Sequence, residues 1–126
     1  HKVTHLQCTP SMARMLLTHP DSEAALSRLS HILVGGEGLP GSLAAELLRT
    51  GARVTNMYGP TETTIWSSTA EVRGLSATEG IGLPIANTQL HVLDEAMRPL
   101  PVGEEGELWI GGTGVAKGYW QRPDLT

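Results

Sequence analysis

Ile32-Leu33-Val34-Gly35-Gly36-Glu37-Gly38 is the stretch that decides how the rest of the chain is read. Three consecutive branched apolar residues suit a short strand buried on both faces, as in a parallel sheet. The run ends in glycines around a single glutamate, where backbone leaves a sheet and must turn at close quarters. Upstream, Val3-Thr4-His5-Leu6-Gln7-Cys8 alternates and predicts another strand. Thr9-Pro10-Ser11 then offers an N-cap with proline at the first helical position. Met12, Ala13, Met15 and Leu16 put an apolar stripe on a helix through about Thr18. His19-Pro20-Asp21 breaks it, and a further helical stretch is expected from Glu23 to Leu29. Downstream, Leu43, Ala44, Leu47 and Leu48 recur at helical spacing between Gly41 and Thr50, with Gly51 placed as a C-terminal cap. Arg53 to Met57 predicts a third strand, running directly into Tyr58-Gly59-Pro60-Thr61-Glu62.

Strand, helix, strand, helix, strand implies an α/β fold with parallel strands and right-handed crossovers. Ligands in such sheets sit beyond the carboxyl ends of strands. Gln7-Cys8-Thr9, Gly35 to Gly38 and Tyr58 to Glu62 are therefore expected to converge on one edge. The second half changes character. Ile65 to Val72 reads as extended, Arg73 to Pro84 as a Gly- and Ser-rich loop, and Thr88 to Leu93 and Glu107 to Ile110 as alternating antiparallel strands. Residues 1–70 are thus expected to form an α/β part, and residues 71–126 a β-rich, barrel-like part. Arg122-Pro123-Asp124-Leu125 reads as the start of a helix. Stopping there would strand an element, so the chain is expected to be a segment of a larger protein.

Composition narrows the classes of function. The 126 residues carry 9 Lys and Arg against 13 Asp and Glu, a formal charge of −4, with 40% hydrophobic content and no Phe. There is no basic patch for nucleic acid and no apolar run of the ~18 residues a membrane span needs. The first residues show no basic-then-apolar signal pattern. One cysteine cannot form an internal disulfide, which points to a reducing, cytoplasmic setting. Gly 15 and Pro 8 make up about 18% of the chain, against roughly 12% in ordinary proteins. That glycine is clustered where chemistry could lie.

In Tyr58-Gly59-Pro60-Thr61-Glu62-Thr63-Thr64, a forced turn follows a strand and hydroxyls flank one carboxylate. Such a turn suits a phosphate held by hydroxyls, with Glu62 as an oxygen ligand for magnesium; on spacing alone, a turn that Thr61 caps, with Glu62 in solvent, is the stronger reading. Gly36-Glu37-Gly38 admits close approach of a flat ligand, or is a plain tight turn. It is not a phosphate-cradling loop, because no Lys-Ser or Lys-Thr follows. Gly111-Gly112-Thr113-Gly114 with Lys117-Gly118-Tyr119 fits a phosphate loop or a corner after a strand. His1, His5, His19, His31 and His91 show no pair at ligand spacing, so no metal site is read from them. Cys8 has no neighbouring base and reads as a buried spectator thiol, the alternative being a nucleophile.

Tyr58 to Thr64, Gly106-Glu107-Leu108-Trp109-Ile110-Gly111-Gly112 and Gly118-Tyr119-Trp120-Gln121-Arg122-Pro123 together resemble the adenylate-forming enzymes, and more narrowly the adenylation domains of nonribosomal peptide synthetases. Leu33 to Glu37, Ile81 to Ile85 and Asn87-Thr88 fit the same family, so the resemblance runs essentially end to end. It implies a flavodoxin-like parallel subdomain followed by part of an antiparallel barrel-like one. It implies ATP, magnesium and a carrier-borne phosphopantetheine as cofactors, and carrier and condensation domains as partners. On that resemblance, Gly36, Glu37 and Gly38 line the adenine slot by backbone, with Asn56, Tyr58 and Gly59 nearby. Thr61 contacts the α-phosphate and Glu62 helps to hold magnesium. Gln7, Leu33, Gly35, Met57, Ile65 and Trp66 would line the amino-acid pocket, a set resembling the pattern associated with glycine, with alanine the runner-up.

The family's phosphate loop and amino-group-binding Asp lie upstream of the matching stretch; its ribose-binding Asp and catalytic Lys lie downstream. The 126 residues alone are therefore expected to show no amino-acid-dependent pyrophosphate exchange. Two other readings remain at this point: a related acyl-coenzyme A synthetase or aryl-acid ligase, and a non-catalytic flavodoxin-like binding module. The Asn87-Thr88 pair and Trp120-Gln121-Arg122-Pro123 lean towards the peptide synthetase branch.

Overall fold

A computed structural model describes residues 2–74 and 80–126. They form two compact units, His1–Tyr58 with Ser68–Leu83, and Gly59–Ser67 with Pro84–Thr126.

The first unit begins β1 (His5–Cys8), α1 (Pro10–Leu17), α2 (Pro20–Leu26), β2 (His31–Gly35), α3 (Gly41–Arg49) and β3 (Arg53–Tyr58). The Thr9 hydroxyl accepts from the Met12 amide at 3.2 Å, so α1 starts where its sequence signals predicted. Pro20 starts α2 three residues before the predicted Glu23, because a proline is preorganised for the first helical turn. Gly51 follows α3 at φ +82, the left-handed conformation of a helix C-cap.

Strand order follows chain order, and β1, β2 and β3 are parallel. Right-handed crossovers that advance in one direction put both connections on the same face, and α1 accordingly touches both α3 and β2. That face carries the core. Ile32, Val34, Val54, Leu43 and Leu47 are wholly buried there, each burial worth about 1.5–3 kcal/mol relative to exposure. Cys8 joins this cluster, and burial pushes its thiol pKa up, as befits a spectator.

Leu33 corrects the expectation of a strand buried on both faces. It is only half-buried, because the helices cover the Ile32 and Val34 side and Leu33 points the other way. Ile65 to Val72 is extended only in part: β4 (Ser68–Val72) pairs antiparallel with β3, and the residues before it turn. The two-residue β5 (Leu83–Pro84) completes the sheet order. The loop expected from Arg73 to Pro84 falls partly on residues 75–79, outside the described residues.

In the second unit, β6 (Thr88–Leu93) and β7 (Glu107–Gly112) pair antiparallel, Leu90 opposite Ile110 and Val92 opposite Leu108. The Asp94 carboxylate organises the turn that follows β6, accepting from the amides of Ala96 and Arg98 and from the Arg98 side chain. No closed barrel forms among the described residues. Arg122 to Leu125 does not start a helix: the Arg122 amide bonds Tyr119 and the Leu125 amide bonds Arg122, making successive turns. A single turn fixes too many dihedrals for its few bonds to persist as a helix.

Candidate functional site

The strand ends of the first unit gather several of the predicted residues. In-register pairing sets Gln7 beside Leu33, and Gly35 beside Met57. Side chains alternate along a strand, so Gln7, Leu33, Gly35 and Met57 all lie on the face without helices. Asn56 and Tyr58 have the opposite parity. Asn56 is buried and its side-chain amide donates to the Gly80 carbonyl at 3.4 Å, while Tyr58 ends β3 half in solvent.

After β2 the chain leaves the sheet through Gly36 at φ +87, a conformation that glycine adopts at little cost. Glu37 then folds back onto the start of α1. Its Oε2 accepts from the Ser11 hydroxyl at 2.6 Å and from the Ser11 amide at 3.2 Å. The side-chain bond from Ser11 is the main reason the Glu37 carboxyl sits below its ordinary range. A carboxylate on a helix N-terminus is stabilised by the free amides and the dipole. The side chain of Glu37 is thereby anchored to α1 through one of its two oxygens. The sequence carries no local signal for this bond, which spans 26 residues.

The second unit holds the other predicted residues in a loop closed on itself. A Cβ on Gly59 would lie 2.7 Å from the Ser67 amide nitrogen and 2.8 Å from the Trp66 Cα, and closer still to the Ile65 carbonyl oxygen. Only glycine lets these two stretches of backbone meet. Thr61–Thr63 makes a single 3-10 turn in which Thr61 and Glu62 are exposed. The Thr63 hydroxyl, buried, reaches the Pro60 carbonyl at 3.1 Å and the Ser67 hydroxyl at 2.6 Å. Thr64 and Ile65 both take positive φ, +60 and +75, and the Trp66 amide donates to the Thr64 carbonyl at 3.0 Å. That is a γ-turn of the rare, strained kind, centred on a β-branched residue. Strain of this type persists only where surrounding contacts over-determine it. Here the Gly59 approach and the Thr63–Ser67 bond do so. The turn leaves Ile65 exposed and Trp66 half-buried.

Glu62 is held by a segment that sequence spacing did not connect to it. The Tyr119 hydroxyl donates to Glu62 Oε1 at 2.5 Å, and the Ala116 amide to the Glu62 carbonyl at 2.7 Å. The phenol bond is the chief reason the Glu62 carboxyl falls below its usual range, and the same bond raises the Tyr119 pKa. Gly111 to Tyr119 therefore turns a corner after β7 and supports the Glu62 turn. Among the described residues, no group of three or more His, Cys, Asp or Glu could hold a metal ion, and no helix is long and apolar enough to cross a membrane.

The chain is similar to known proteins. A family model described as AMP-binding enzyme matches residues 1–120. A dimodular nonribosomal peptide synthase of Bacillus subtilis is 51% identical over 122 residues, covering 96% of this chain and 5% of that protein. An indigoidine synthase of Dickeya dadantii is 43% identical, covering all of this chain and 9% of that protein. The chain thus spans a small part of these relatives. Among solved structures, a four-domain nonribosomal peptide synthetase bound to AMP and glycine superposes with a TM-score of 0.86 at 49% identity, over 98% of this chain and 9% of that one. The N-terminal subdomain of Klebsiella oxytoca NpsA gives 0.85 at 29% identity, over 99% of this chain and 33% of its own. With a family match over nearly the whole sequence and relatives of this identity, the chain belongs to the AMP-binding enzymes, as a segment of an adenylation domain of the nonribosomal peptide synthetase kind.

Proposed function

We propose that this segment serves the ATP-dependent activation of an amino acid, glycine first and alanine next. The amino-acid carboxylate attacks the α-phosphorus of ATP, pyrophosphate leaves, and the aminoacyl group passes from AMP to the phosphopantetheine thiol of a carrier domain. Carrier and condensation domains of the same synthetase are the partners. The observation that carries this reading is the Thr61-Glu62 pair, exposed on a 3-10 turn just after β3, with the Tyr119 hydroxyl holding the Glu62 carboxyl below its usual range.

Thr61 donates to the α-phosphate in this scheme, and Glu62 holds magnesium. The residues fit that ion. Magnesium is usually bound through one or two carboxylates together with substrate phosphates and water, and Glu62 is an exposed carboxylate of which Tyr119 takes one oxygen. When bound, magnesium supplies positive charge against that gathering on the phosphates. Gly36, Glu37 and Gly38 meet adenine by backbone in this scheme, with the Glu37 side chain turned to Ser11; Asn56, Tyr58 and Gly59 lie nearby. Because the groups from the remaining motifs are needed too, the 126 residues alone carry no exchange activity.

Glycine selectivity follows from bulk. Leu33, Met57, Ile65 and Trp66 would occupy the volume a substrate side chain needs, with Gln7 and Gly35 completing the pocket. The synthetase solved with AMP and glycine, 49% identical to this chain, supports the same choice. Trp66→Ser in the intact synthetase should raise exchange with alanine and larger amino acids relative to glycine by roughly tenfold or more, since steric exclusion discriminates strongly against extra bulk. Exchange assayed across a panel of amino acids checks this, and unchanged selectivity would count against the pocket.

A further inference from the structure

We propose that Tyr119 is a positioning residue for the Glu62 carboxylate, fixing one of its oxygens so that the other is presented to a divalent cation. This rests on the assignment of Glu62 as the metal-holding residue. A glutamate on an open turn has several rotatable bonds, and ordering them opposes metal binding. Here that freedom is removed in advance. One short stretch holds both polar ends of Glu62: the Ala116 amide takes its carbonyl, and the Tyr119 hydroxyl takes Oε1. The Tyr119 hydroxyl takes only this one of the two carboxylate oxygens.

Tyr119 is itself anchored. Its amide donates to the Thr126 hydroxyl at 3.0 Å, and its carbonyl accepts from the Arg122 amide at 3.1 Å. The stretch before it is tied to the same turn by the Thr64 hydroxyl, which donates to the Gly114 carbonyl at 2.7 Å. An open cavity of about 360 Å³ lies beside Glu62, lined also by Thr61, Val115, Tyr119 and Trp120. The carboxylate therefore has a fixed donor on one oxygen and open space beside it. Removing a group that orients a metal ligand in this manner typically costs about 10–100-fold in affinity.

The test uses the intact synthetase with Mn²⁺ as probe and a non-hydrolysable ATP analogue, bound metal being read by electron paramagnetic resonance. Tyr119→Phe, which removes a single oxygen, should weaken Mn²⁺ binding roughly tenfold. In pyrophosphate exchange it should raise the magnesium concentration for half-maximal rate by a similar factor, with the rate at saturating magnesium little changed. Glu62→Gln runs in parallel. If Glu62→Gln loses Mn²⁺ while Tyr119→Phe binds it as the parent does, the Tyr119 role is overturned and the Glu62 assignment stands. If neither substitution changes Mn²⁺ affinity, the Glu62 assignment fails and takes this inference with it. Tyr119→Leu separates hydroxyl from ring: a defect in Tyr119→Leu that Tyr119→Phe does not share assigns Tyr119 to packing and overturns the proposal.

Discussion

Glu62→Gln in the intact synthetase is expected to lower amino-acid-dependent pyrophosphate exchange by roughly 10²–10³-fold, the scale of removing one group that stabilises transition-state charge. The substitution keeps size and shape but removes the negative charge, so the carboxamide still accepts from Tyr119 while binding a cation poorly. Glu62 is exposed and packs against no core residue, so the thermal midpoint should hardly move. Excess magnesium should recover part of the rate, because the defect lies in binding the ion. Exchange within about threefold of the parent at every magnesium concentration would remove Glu62 from the mechanism.

Gly59→Ala should be the most damaging small substitution in the second unit. The added methyl would have to occupy space held by the backbone of Ile65, Trp66 and Ser67, none of which can yield as a flexible side chain does. Opening that contact costs about 2–4 kcal/mol, the upper range for overpacking. It would also release the strained turn at Thr64 and Ile65, so Thr61, Glu62 and Trp66 would lose their positions together. A displacement of about 1 Å can cost ~10²-fold in rate. The expected result is a lowered urea midpoint with exchange reduced at least that far. A parent-like midpoint and rate would show that the loop closes some other way.

Much of the α/β unit was legible in the sequence, because its signals are local. Thr9-Pro10 starts a helix, Gly51 ends one, and Ile32 to Val34 is too short and too branched for anything but a strand. What escaped is what depends on contacts between distant residues. Ser11 reaches Glu37 across 26 positions and Tyr119 reaches Glu62 across 57; nothing in either neighbourhood announces the partner. The sequence around Ile65 predicts an extended segment, and β-branched residues do favour strands. Closure of the loop on Gly59 overrides that preference and forces φ to +75. Leu33 is half-buried where the apolar run predicts full burial, because such a run does not reveal which face the helices cover.

The alternation along β2 and β3 has a consequence for how such a protein can change. Ile32, Val34 and Val54 pack under the helices, whereas Gln7, Leu33, Gly35 and Met57 share the opposite face. Adjacent positions thus meet different physical demands, one set packing in the hydrophobic core and the other facing away from it. A lineage can rewrite the second set residue by residue while the first keeps the sheet folded, and a protein engineer can follow the same route.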